Sequence, residues 1–207
     1  MNINQMVIPL TTLVAVVIGG LMTLASNYLL KKREIRLQLA QNLMKKKIDA
    51  YDELLSHVRF GNLLAASESG DGSLVKYPVI FQDENGFEEW ECKFIITVRR
   101  VFHLIDADTY EACFAFQNYL LNLDKLTGGL KGTTAIKRIT PELGAKLLPD
   151  FKMYIGRIEN CCYHFYRKGI YSLRINPPDL RNTDKSSEII FIELKSTQLW
   201  QLQDNLR

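Results

Sequence analysis

Residues 6–30, MVIPLTTLVAVVIGGLMTLASNYLL, hold no charged side chain, and Lys31, Lys32 and Arg33 follow at once. At ~1.5 Å per residue a helix over this stretch rises roughly 37 Å, more than a hydrocarbon core of ~30 Å. The pattern predicts a single transmembrane helix over 1–30, retained rather than cleaved. The start MNINQ lacks the basic residues of a signal peptide, and the apolar run is too long for one. No Gly or Pro then occurs until Gly61, and Ile35, Leu39, Leu43, Ile48, Tyr51, Leu55 and Val58 recur near the helical period. The first helix is therefore expected to continue past the membrane, to end at Gly61-Asn62 or to persist to Ser69.

Further along, Trp90, Phe94, Val98, Val101, Phe102 and Ile105 mark a second helix over about 88–105, with Glu88, Glu89 and Glu91 at its start. Asp108 with Glu111 reads as a capping box for a third helix, which ends before Gly128 and Gly129. Thr140-Pro141-Glu142 is a start signal for a fourth, running to about Leu173 with a kink or restart at Pro149. Residues 67–87 read as a connector with one edge strand at most. Residues 189–194 are β-branched and apolar, and for 187–206 one helix or a strand followed by a helix both stand open. The expected architecture is all-α: an N-terminal transmembrane helix (1–30) leading into a cytosolic antiparallel bundle of about four helices (31–207), with a short C-terminal strand as an option.

Charge adds an orientation. The chain carries +3 overall, but residues 31–47 hold seven basic side chains against one acid, Glu34. Basic flanks stay inside, so the N terminus is expected outside, the rest of the chain in the cytosol, and the protein in the cell inner membrane as a single-pass species. Lys31, Lys32, Arg33 and Arg36 then meet anionic headgroups. Within the span, Thr11, Ala15, Gly19, Thr23 and Asn27 recur every four residues, a stripe suited to close helix packing or to lining a pore. One helix makes no pore, so that reading requires a ring-like homo-oligomer.

Candidate chemistry is sparse. No phosphate-cradling glycine loop, metalloprotease histidine pair or nucleophile elbow is present. The four cysteines lack the spacing of a zinc site, so neither a metal nor a cofactor is expected. Of the three histidines, His57 and His103 read as structural. His164 stands seven residues after Arg157, about two helical turns on, with Asn160 between them on nearly the same face. A histidine that moves a proton and an arginine that holds a phosphate suit the cutting of RNA by its own 2′-hydroxyl.

The segment RIENCCYH matches the Arg-x(4–6)-His pattern of HEPN domains, helical bundles that often act as RNases in antiviral systems. With an N-terminal membrane helix, the layout resembles the small accessory proteins of type VI-B CRISPR systems, which accompany an RNA-guided RNase. The resemblance implies a homo-oligomeric pore that depolarises the inner membrane, with Arg157, Asn160 and His164 as a degenerate HEPN-like motif. This chain has Ile158 directly after Arg157, unlike the more polar HEPN patterns. Two alternatives accompany that reading: a membrane-tethered HEPN-type RNase acting on RNA, and a non-catalytic anchor or adaptor.

Overall fold

The computed structural model describes residues 4–68, 72–128, 139–168 and 183–204, with side chains placed for 16–68, 72–127, 139–167, 189–202 and 204. It is 84% helical. The chain divides into two compact units, 1–45 and 46–207.

The described residues of the first unit, 4–45, belong to α1, Asn4–Gly61. Between residues 16 and 30 every side chain is exposed, including Val16, Leu21, Met22, Leu24, Tyr28 and Leu30 at 62–69%. The expectation of a transmembrane helix is corrected here: among the described residues no helix is long and apolar enough to cross a membrane. The single-pass location in the inner membrane, N terminus outside, falls with it.

In the second unit, the end of α1 packs with α2 (Glu84–Val101), α3 (Ala107–Gly128) and α4 (Pro141–Lys168), followed by α5 (Thr183–Lys195) and α6 (Gln198–Asp204). A helical bundle therefore holds in part, enlarged by two C-terminal helices and a β-hairpin. The hairpin pairs β1 (Leu64–Glu68) with β2 (Leu74–Pro78) antiparallel, from Leu64 opposite Pro78 to Glu68 opposite Leu74. Gly72 has φ +80° between the strands, a conformation open to glycine and costly for other residues.

Of the two readings left open for 187–206, the strand is not formed: residues 189–194 are part of α5. Ile190 and Leu194 are buried while Ile189, Phe191 and Ile192 face outward, a period of four rather than two. Three helix starts follow local capping chemistry. Asp83 accepts from the Gly86 N–H at 2.6 Å and begins α2 four residues earlier than the apolar face suggests. Asp106, not Asp108, caps α3 by accepting from the Thr109 N–H at 2.8 Å. Thr140 caps α4 as expected, its Oγ1 3.2 Å from the Leu143 nitrogen. Pro149 sits inside α4, which is helical on both sides of it.

The core is aromatic. Phe116 meets Phe94 at 5.3 Å and Phe151 at 5.5 Å between ring centroids, both edge-on, the geometry favoured by ring quadrupoles. Phe81, from the 3₁₀ turn Val79–Phe81 after β2, meets Phe151 at 5.0 Å. That turn lies against α4 where Gly144 stands. A Cβ there would come within 2.6 Å of the Phe81 Cβ, so only glycine lets the two backbones approach. His57 and Trp90 join α1 to α2 reciprocally: Trp90 Nε1 donates to the His57 carbonyl, and His57 Nε2 lies 3.2 Å from the Trp90 carbonyl. His57 is thus structural, whereas His103 is exposed beside Phe102 rather than in the core.

Candidate functional site

Arg157, Asn160 and His164 line one cavity of about 580 Å³, together with Lys152, Met153, Gly156 and Cys161 from the same helix. The i, i+3, i+7 spacing places all three on one side of α4, as the helical period requires. The opposite wall comes from Asp106 and Asp108 at the start of α3. Asp106 is held fast: its carboxylate accepts from the Tyr51 hydroxyl at 2.8 Å and from the Thr109 N–H, and its own N–H donates to the Tyr51 oxygen at 2.9 Å.

Arg157 is already committed. Its Nη1 lies 2.9 and 2.8 Å from the two carboxylate oxygens of Glu193 on α5, and its Nη2 lies 3.2 Å from Glu111 Oε1 on α3. A single guanidinium therefore ties α3, α4 and α5 together and carries two carboxylates against its one charge. These groups remain about one-third exposed, so water and ions reach them. Asn160 and His164 are exposed, and neither makes a hydrogen bond to another described residue.

Nearby groups do not supply a nucleophile. Burial, then the Asp106 charge, pushes the Cys161 thiol above its usual range. Burial pushes Cys162 up to about 12 and Tyr154 up to about 12. Reactive thiols instead need a lowered pKa and positive surroundings. Among the described residues no group of His, Cys, Asp and Glu side chains could hold a metal ion.

Chemically, the cavity offers one imidazole, one amide and one ammonium facing two carboxylates, with its arginine neutralised. Proton transfer by His164 is available; stabilisation of phosphate charge by Arg157 is not, while Glu193 and Glu111 occupy it. Sequence patterning missed Glu193, Glu111, Asp106 and Lys152 as members of this site. Glu193 had no local signal, because it meets Arg157 across thirty-six positions.

The first unit carries the other candidate surface. Lys31, Lys32, Arg33 and Arg36 are exposed directly after the exposed apolar residues 16–30. Of the small-residue stripe, Gly19, Thr23 and Asn27 are exposed, and Thr23 Oγ1 donates to the Gly19 carbonyl of its own helix at 2.8 Å. The side chains of Thr11 and Ala15 lie outside the described residues. No family model matches the chain, nor does any curated protein or solved structure.

Proposed function

We propose that the chain is a self-associating helical accessory protein that binds an anionic lipid surface through residues 16–36, and that it works without cutting RNA. The observation that carries this reading is the run of exposed apolar side chains at 16–30 followed by four exposed cations at 31–36. Apolar side chains all round a helix need cover that water does not give. Acyl chains, or the same segments of other copies, supply it; Lys31, Lys32, Arg33 and Arg36 each add on the order of 1 kcal/mol toward anionic headgroups. A pore forms no part of the proposal, since a pore needs helices that cross. The resemblance to type VI-B accessory proteins supports a place beside an RNA-guided RNase in antiviral defence.

Flotation with phosphatidylglycerol-containing vesicles tests it. Binding is expected, weaker at high salt, and up to about a thousandfold weaker when the four basic residues become Gln. Protein that stays unbound by anionic vesicles and monomeric by light scattering would sink the reading.

A second reading, an HEPN-type RNase, is favoured by one fact: Arg157, Asn160 and His164 do share a cavity. Cleavage of single-stranded RNA by purified protein, lost in His164→Ala, would establish it.

A further inference from the structure

We infer that a second cavity, between the end of α1 and the start of α2, receives the exposed stripe Lys32, Ile35, Arg36 and Leu39 of a second copy of this chain. The inference rests on the self-association proposed above and names the surface on which one copy meets the next.

The receiving surface is an apolar socket with an acidic approach. The cavity encloses about 490 Å³ and is lined by Ile80 and Trp90, both buried, and by Phe60, which is half exposed. Trp90 is fixed there by its hydrogen bond to the His57 carbonyl, so the socket is formed before anything enters it. Asp83 and Glu89 also line it, with Lys93 paired to Glu89. Along α1, Asp49, Glu53, Ser56 and Phe60 recur at helical spacing, so two more carboxylates share the face that leads to the cavity. Glu53 pairs with Arg100, whereas Asp49 is exposed and makes no bond to a described residue. Four carboxylates against two cations leave this surface with a net charge of −2.

The entering stripe matches it in spacing and in sign. Lys32, Ile35, Arg36 and Leu39 stand at i, i+3, i+4 and i+7, on one side of the helix. All four are exposed, Ile35 at 48% and Leu39 at 64%. Glu34, the one acid among residues 31–47, lies on roughly the opposite side. The stripe and the face 53–60 each extend over two turns, about 10 Å, so cations can meet carboxylates while an aliphatic side chain enters the socket. Burial of Ile35 and Leu39 supplies the attraction, and the charges set partner and register. Lys31 and Arg33 flank the stripe and stay available to headgroups. Stripe and socket are different surfaces, so the contact runs head to tail and can continue past a dimer.

Sedimentation velocity on the full chain tests this, in a mild nonionic detergent that covers residues 16–30. The parent is expected to associate with rising concentration, less so at high salt. Lys32→Glu/Arg36→Glu and Asp49→Lys/Glu53→Lys should each weaken association about tenfold or more, and an equal mixture of the two variants should restore it, because each then carries the complement of the other. Asp49→Lys alone, at an exposed position, should give a smaller loss and serves if Glu53→Lys disturbs the fold. Lys125→Glu/Lys146→Glu makes the same change of charge elsewhere and should associate like the parent. Oligomers that survive both reversals, or losses that the mixture does not repair, would overturn this contact and leave self-association standing. A parent that stays monomeric at every concentration would overturn the self-association reading as well.

Discussion

The carboxylate of Asp150 accepts the backbone N–H of Leu199 at 3.0 Å, and that of Gln198 at 2.9 Å, so a residue inside α4 caps the first turn of α6 from forty-nine positions away. The same carboxylate accepts from the Tyr119 hydroxyl at 3.2 Å, and Asp150 is buried. A seven-residue helix is too short to be stable alone, and its unpaired N–H groups need an acceptor. Asp150→Ala should therefore cost about 2–3 kcal/mol in urea denaturation, with Asp150→Asn, which keeps one acceptor oxygen, costing less.

Arg157 and His164 should separate cleanly. Arg157→Ala leaves Glu193 and Glu111 facing each other and removes the link among three helices, an expected loss of about 1–2 kcal/mol. His164 is exposed and makes no bond to a described residue, so His164→Ala should stay within about 0.5 kcal/mol of the parent. Equal losses on thermal unfolding would contradict the arrangement.

Glu91 sets a pH dependence. Burial, reinforced by Asp124 and Glu88, raises its carboxyl to about 7 from an ordinary 4.5. The native state thus holds this proton more tightly than the unfolded chain. Its penalty is absent below pH ~4.5, grows as pH rises toward 7, and is fully present above. Glu91→Gln should raise stability at pH 8 by about 1–2 kcal/mol and change it little at pH 4. A pH-independent difference would contradict the burial of this group.

Gly144 and Gly61 should not tolerate a methyl group equally. Gly144→Ala forces its Cβ to within 2.6 Å of the Phe81 Cβ, a position close to backbone with little freedom to yield. A loss of about 2–3 kcal/mol is expected. At Gly61 the obstacle is the Trp90 ring, 2.5 Å away, whose indole is pinned by the His57 carbonyl. Tilting that ring gives up one hydrogen bond, so Gly61→Ala should cost less, about 1–2 kcal/mol. Equilibrium denaturation of the two variants orders them.

Local chemistry determined much of this protein from its sequence alone. The Thr140-Pro141 start of α4 and the shared side of Arg157, Asn160 and His164 follow from neighbours a few positions apart. Such features depend on capping groups, backbone freedom and the 3.6-residue period, which a short window contains. The choice between helix and strand for 187–206 was not legible, because Ile189–Leu194 has the β-branched content of a strand, while in α5 Ile190 and Leu194 are buried against the bundle at helical spacing. Nor was the state of Arg157. Whether a guanidinium is a free cation or a neutralised strut depends on carboxylates forty-six positions before and thirty-six after it, and packing alone brings those together.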